Sequence, residues 1–200
     1  MTREPQRLRL LYEDQLGVVP DFPLHRLVIA AAHDLCPQFE RWRLEQRVIA
    51  IPKKGQGAVL KEVGRARSHL DAGVCLLAWL DEDHVRDLFP NASRASRAEV
   101  IALVKQRAGT LDPGRLEVFL LDRNLESLLL ALDVELREAF DDETVTKAIR
   151  KKRLDQRDRL LLHIAAHRGL RARLRERHQG FDCVARYVAT IATLEPWPFH

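Results

Sequence analysis

The stretch LLAWLDEDHV, residues 76–85, changes from a wholly apolar run to three consecutive carboxylates. With the preceding GVC it has the length of one strand, and an unbroken apolar run of that length is typical of a strand buried on both faces. Side chains alternate along a strand, so an extended exit would place Asp81 and Asp83 on the same side. Two carboxylates placed this way would share a hard divalent cation such as magnesium, whereas without one they would repel each other. The alternative for any single acid is that the chain simply emerges into water there.

Strand-like and helix-like segments alternate around this stretch. RLRLLYED (7–14), RVIAIP (47–52) and RLEVFLLDRN (115–124) have strand composition, and segments of helical spacing lie between them, at 25–42, 53–70, 93–109 and 125–140. This order predicts an α/β fold with a mostly parallel, Rossmann-like sheet flanked by helices. Beyond residue 143 the pattern is helical only. We therefore predict an α/β domain over 1–143, with a basic helical extension over 144–200 packed on the same domain.

Acidic residues stand where three of the predicted strands end. They are Glu13, then Asp81 with Asp83, then Asp122. In open parallel sheets, ligands bind beyond the carboxyl ends of the strands. The set therefore predicts a metal site at one edge of the sheet.

The order and spacing of these segments resemble the Toprim domain, the metal-dependent module of topoisomerases, bacterial primases and nucleases of the overcoming-lysogenization-defect group. The resemblance covers roughly residues 7–140. A glutamate that ends the first strand corresponds to Glu13 in LLYED, and an Asp-x-Asp pair that ends a later strand corresponds to Asp81 and Asp83 in LAWLDED. VIAIPKKGQGAVLKEV is similar to the family's second strand, glycine turn and helix, and FLLDRNLESLLLAL is similar to a segment whose helix bears a glutamate, here Glu126.

The resemblance implies a nuclease that hydrolyses phosphodiester bonds in DNA or RNA with Mg²⁺ or Mn²⁺. Asp81 and Asp83 would hold the metal, and Glu13 would complete its shell or act as general acid or base. Candidates for a second cation are Glu82, Asp122 and Glu126. Small proteins similar to this one often belong to bacterial or phage-defence systems, which implies a defence effector and a separate ATPase or other subunit as partner.

One departure from the family pattern favours an alternative function. The family usually has glycine directly after the first-strand glutamate, whereas this chain has Asp14. The alternative is a non-catalytic nucleic-acid-binding or assembly subunit with a degenerate Toprim fold. An unrelated α/β domain with polar strand ends is a third possibility.

The charge is distributed unevenly along the chain. Residues 147–178 hold twelve Lys or Arg against three acids, whereas residues 111–146 hold ten acids against three bases. A cationic helix beside an acidic metal cleft suits nucleic-acid binding through backbone phosphates. The predicted contacts are Lys53 and Lys54 at the glycine turn, with Arg150, Lys151, Lys152, Arg153, Arg171 and Arg173 in the extension. The alternative is that the basic helix faces are solvated and balanced by acidic neighbours.

Other patterns exclude several classes of protein. Three widely spaced cysteines without a C-x-x-C pair, together with the lack of any long apolar run, predict a reduced cytoplasmic protein without a membrane segment. HIAAH (163–167) lacks the glutamate of a zinc-protease helix, and GQG (55–57) lacks the rest of a nucleotide-binding fingerprint. His84 lies next to the acids; the alternatives for it are a phosphate contact or a loop histidine without a role, and we favour the second. Apolar residues of the last helices either pack internally or form a homodimer face.

Overall fold

The computed structural model describes residues 6–13, 23–70, 73–89, 94–109, 114–121, 125–150 and 154–197. The strands are β1 (Leu8–Glu13), β2 (Val48–Lys53), β3 (Cys75–Asp81) and β4 (Leu116–Leu121). The helices are α1 (Pro23–Leu35), α2 (Arg41–Arg47), α3 (Gln56–Val63), α4 (Ala66–Leu70), α5 (Glu82–Leu88), α6 (Arg97–Arg107), α7 (Glu126–Leu130), α8 (Asp133–Ala139), α9 (Asp142–Ile149), α10 (Leu154–Ala166), α11 (Arg168–Arg177) and α12 (Gln179–Thr193).

The four strands form one parallel sheet in the order β2-β1-β3-β4. Helices flank the sheet and a helical region follows it, so the predicted α/β class with a parallel, Rossmann-like sheet is confirmed. From β1 the chain first moves outward to β2 and then returns past β1 to β3. The strand order therefore reverses between β1 and β3, and such a reversal opens a crevice at the carboxyl ends of the two strands.

Alternation along the strands distributes their side chains between two apolar cores. Leu77 and Trp79 of β3 face the core shared with α1, α10 and α12. Leu76, Ala78 and Leu80 face the core shared with α3 and α6. Every residue of β3 is buried, which agrees with a central strand covered on both faces. This double burial explains why the segment reads as an unbroken apolar run rather than an alternating one.

The helices after residue 143 belong to the first of these cores. Leu160, Leu161 and Ile164 of α10 and Val184 of α12 lie in one cluster with the strands and α1. Helix α9 spans the predicted boundary at 143, and the division into two parts stays a prediction. The long basic segment contains α9, α10 and α11, and His167 separates α10 from α11.

The last described residues close the amino-terminal side of the sheet. Arg7 precedes β1 and Arg47 precedes β2; both side chains are almost fully buried and both donate to the Glu195 carboxylate, at 3.0 and 2.7 Å. Arg7 also donates to the carbonyl oxygen of Leu194, and the Trp197 indole donates to the carbonyl oxygen of Gly73 ahead of β3. Residues 194–197 thereby contact the segments that precede three strands, β1, β2 and β3.

Within the described residues, no helix combines the length and the apolar character needed to cross a membrane.

Candidate metal centre

Glu13 and Asp81 meet at the carboxyl edge of the sheet, where the strand order reverses. Glu13 is the last residue of β1 and Asp81 is the last residue of β3, the two strands on either side of the crevice. Asp81 is only 8% exposed, and the Glu13 side chain is 14% exposed. The fold therefore brings two largely buried carboxylates to the point where parallel sheets bind ligands.

A histidine completes this group. Helix α5 begins at Glu82, directly after β3, so His84 lies three residues after Asp81 in the first turn. Nδ1 of His84 is 3.8 Å from Glu13 Oε2 and 3.8 Å from Asp81 Oδ2. Within the described residues, Glu13, Asp81 and His84 each offer one ligand atom, and these atoms all lie within 4.8 Å of one another. Three points with that spacing lie within about 2.8 Å of a common point, close to ordinary metal-to-ligand distances of about 2.0–2.6 Å.

Gln56 fixes the orientation of Glu13. Its Nε2 donates to Glu13 Oε2 at 2.6 Å, and the glutamine is only 5% exposed. Gln56 is the first residue of α3, and Gly55 before it has a φ of 85°, a left-handed conformation that glycine adopts without strain. The glycine turn thus delivers an amide to the carboxylate at the end of the neighbouring strand.

A small cavity of about 20 Å³ lies behind the two carboxylates. That volume is enough for roughly one water-sized group. Its lining includes Glu13, Asp81, Trp79 and, from the later helices, Glu126 and Arg157. Glu126 is 4% exposed, and Arg157 is 5% exposed and donates to Asp158 Oδ1 from Nε and Nη2, at 3.0 and 2.8 Å. The cavity has room for a single water or ion, whereas an organic cofactor is too large for it.

The remaining predicted metal ligands do not join this group within the described residues. Asp83 is exposed, because the helix that begins at Glu82 ends the period-two alternation on which its placement relied; the expected extended exit after Asp81 is wrong. Glu82 instead accepts from Arg86 at 2.6 Å and lies 3.8 Å from Arg97. Glu126 lines the cavity without belonging to the group of three. Asp122 and Asp14 lie outside the described residues.

Of the arginines predicted to bind nucleic acid, Arg171 is used inside the fold, whereas Arg173 lies at the surface. Arg171 is 8% exposed and donates to both carboxylate oxygens of Asp34, at 2.7 and 2.9 Å. Arg173 is exposed but lies 3.4 Å from Glu135, which Arg177 also holds at 2.8 Å. These hydrogen bonds, chiefly from Arg177, lower the pKa of Glu135. Arg171 is therefore a structural cation rather than a surface one.

The other predicted contacts differ in how they are placed. Lys53 pairs with Glu62 at 3.0 Å. Lys54 and Arg150 are exposed, and Lys54 follows β2 at the same edge of the sheet as Glu13. The triplet at 151–153 lies outside the described residues. The sheet thus places both Lys53 and Lys54 at the edge where Glu13 lies, and of the two Lys54 is the exposed one.

Three residues of the centre were undervalued or missed by sequence reasoning. His84 was interpreted as a loop residue. It stands three residues after Asp81, however, and residues three apart lie on the same face when a helix begins directly after the strand. Gln56 carried a weaker signal, since it follows the glycine that opens a helix. Arg157 carried none, because it is one of many arginines in a basic segment and its position in the cavity depends on how α10 packs.

The centre and the fold define an α/β protein with a carboxylate and histidine group at the reversal point of a parallel sheet. Comparisons with protein-family models, with curated proteins and with solved structures find no match for this chain.

Proposed function

We propose that this chain is a metal-dependent nuclease that hydrolyses phosphodiester bonds in DNA or RNA. The observation that supports this proposal most directly is the meeting of Glu13, Asp81 and His84 at the edge of the sheet. Carboxylate oxygens at such an edge suit a divalent cation that keeps open positions for water and phosphate. The resemblance to Toprim domains supports the proposal because Glu13 and Asp81 correspond to acidic motif positions of that family.

The two carboxylates and Gln56 have distinct roles in the proposed hydrolysis. A cation held by Glu13 and Asp81 would polarise the phosphate and stabilise charge that develops on its oxygens. Water would lose a proton to solvent and form the new bond to phosphorus while the bond to one ester oxygen breaks, and the leaving oxygen would take up a proton from solvent. Gln56 holds Glu13 at 2.6 Å, which fixes the carboxylate as a ligand before substrate arrives.

The substrate phosphate would approach from outside the sheet edge, because the cavity behind the carboxylates has room for little more than one water. The His84 side chain is 46% exposed, and Lys54 is exposed at the same edge of the sheet, so both are accessible to a substrate there. A lysine there would attract the nucleic-acid backbone through its charge and would not read the sequence.

A cleavage assay with matched variants tests this proposal. Purified protein would be incubated with plasmid DNA and with RNA, in Mg²⁺ or Mn²⁺ and in chelator. We expect chelation to stop cleavage and Asp81→Asn to reduce it by about a hundredfold or more, because a buried ligand is lost. Asp87→Asn, which changes an exposed acid of the following helix α5, is the control and should keep its activity.

Asp83→Asn separates the structure from the spacing of the motif. Asp83 is exposed and outside the group of three, so its substitution should change the cleavage rate by no more than about threefold. A loss as large as that of Asp81→Asn would show that the working metal site uses both aspartates.

The second candidate is a non-catalytic nucleic-acid-binding or assembly subunit. The feature that favours it is Asp14, which stands where Toprim domains usually have glycine, whereas the internal pairing of Arg171 with Asp34 removes one predicted nucleic-acid contact from either candidate. Salt-sensitive binding without cleavage in either metal would favour this candidate and refute the first. The defence role and the ATPase partner that the resemblance implies stay predictions.

A further inference from the structure

We propose that His84 is itself a metal ligand and that its imidazole makes the centre select first-row transition ions over magnesium. This deepens the proposed function by naming its metal, and it rests on the metal site of that proposal but not on nuclease chemistry.

The position of His84 fits a ligand better than an ion pair. Its Nδ1 is 3.8 Å from an oxygen of Glu13 and 3.8 Å from an oxygen of Asp81. Hydrogen bonds between nitrogen and oxygen are shorter, at about 2.7–3.2 Å. Ligand atoms that each lie about 2.1 Å from one ion are separated by roughly 3.0–4.2 Å, depending on their angle at the metal. The imidazole therefore stands at the separation expected across a cation.

Two buried polar atoms next to the group indicate that something else belongs there. The Gln56 Oε1 and the Trp79 Nε1 are buried and have no hydrogen-bond partner among the described residues. Gln56 is bonded to Glu13 through its other amide atom, and Trp79, only 1% exposed, lines the cavity behind Glu13 and Asp81. Buried polar atoms are usually paired. The water shell of a bound ion would supply a donor for the amide oxygen and an acceptor for the indole.

The donor set decides which ion is preferred. Magnesium is a hard cation that takes oxygen ligands and keeps much of its water. Imidazole nitrogen is a softer donor that suits first-row transition ions. Because β3 passes directly into α5, His84 lies beside the two carboxylates and Asp83 is exposed. The third donor of the group is therefore a nitrogen and not a third carboxylate oxygen. The site therefore has mixed oxygen and nitrogen donors.

Metal binding measured without nucleic acid tests the inference. Manganese binding would be followed by electron paramagnetic resonance, with electron spin echo modulation to detect a coordinated ¹⁴N, and magnesium and zinc binding by calorimetry. We expect one Mn²⁺ to bind at least about tenfold more tightly than Mg²⁺, zinc to bind more tightly still, and the manganese complex to show nitrogen coupling.

Variants at two histidines distinguish a ligand from a structural residue. His84→Ala and the bulkier His84→Gln should both remove the nitrogen coupling and weaken Mn²⁺ binding by about tenfold or more, while Mg²⁺ binding changes by less than about threefold. His167→Ala, at an exposed histidine of the linker between α10 and α11, should behave as wild type. Near-ultraviolet circular dichroism would confirm that each variant is folded.

Two results would overturn the inference: a wild-type manganese complex without nitrogen coupling, or equal losses of Mn²⁺ and Mg²⁺ affinity in both His84 variants. Manganese binding that depends on His84, with no cleavage of any substrate, would refute the nuclease proposal alone. Cleavage by a protein whose metal shows no coordinated nitrogen would refute this inference alone.

Discussion

Replacing Arg171 by methionine should destabilise the protein strongly, whether or not it binds nucleic acid. The guanidinium donates to both oxygens of Asp34 at 2.7 and 2.9 Å and to the carbonyl oxygen of Ala165 at 2.6 Å. The two side chains are 10% and 6% exposed. The contacts join α11 to the end of α1 and the end of α10, so their loss leaves a buried aspartate with only the exposed Arg168, whose Nε is 3.8 Å away, as a neighbouring cation.

The magnitude follows from that burial. Removing one partner of a buried, hydrogen-bonded ion pair costs about 3–5 kcal/mol, because the remaining charge is uncompensated. With a urea dependence near 2–3 kcal/mol per molar, the unfolding midpoint should fall by roughly 1–2 M. Arg173→Met is the matched control: that side chain is 53% exposed and lies 3.4 Å from Glu135, so its loss should cost less than about 1 kcal/mol.

Urea unfolding followed by circular dichroism measures both variants, and a filter-binding titration with DNA and RNA completes the comparison. A double variant with Asp34→Leu and Arg171→Met should recover much of the lost stability, since the stranded charge is gone. The reasoning is refuted if Arg171→Met unfolds at the wild-type midpoint yet binds nucleic acid more weakly, because Arg171 would then be a surface contact.

Two further predictions concern the ends of the strands. The hydrogen bonds from Arg47 and Arg7 lower the pKa of Glu195, so its stabilising contribution is present above the ordinary glutamate pKa of about 4.3 and is lost as the pH falls through the lower folded value. Glu195→Gln should therefore unfold at lower urea than wild type at pH 7, with the difference shrinking below about pH 4, and a constant difference would contradict this account. Gln56→Ala should weaken Mn²⁺ binding by about 10–100-fold through the loss of its hydrogen bond to Glu13, and unchanged affinity in the folded variant would show that the carboxylate needs no support.

Local pattern was sufficient to predict the sheet. The four segments with strand composition are β1 to β4, and the segment that ends near Glu13 ends there in the structure. A central strand that is buried on both faces has apolar residues at consecutive positions, so β3 could be predicted from its own sequence. Within the helical segment predicted at 93–109, α6 is capped by Ser96, whose side chain accepts from the Glu99 amide while the Glu99 carboxylate accepts from the Ser96 amide.

The candidate centre was predicted only in part. Glu13 and Asp81 could be paired because both end strands, and strands of a parallel sheet finish at one edge. Asp83 was predicted to join Asp81, but His84 does so instead. The reason is that the helix begins at Glu82, where the repeat of side-chain direction changes from two residues to about 3.6. The residues DEDH (81–84) do not by themselves indicate whether the chain continues as a strand or begins a helix directly after Asp81.

The sequence by itself determined the α/β class, the four strands and the two carboxylates at their ends, because these depend on neighbours along the chain. The tertiary structure alone decided that His84 joins the carboxylates, that Gln56 holds Glu13, and that Arg171 is buried against an aspartate 137 residues away. The residues next to a charged side chain in the sequence do not indicate which distant residue it pairs with. Which arginine is surface and which is core is set by the packing of α1, α10 and α11, and that packing depends on the whole chain.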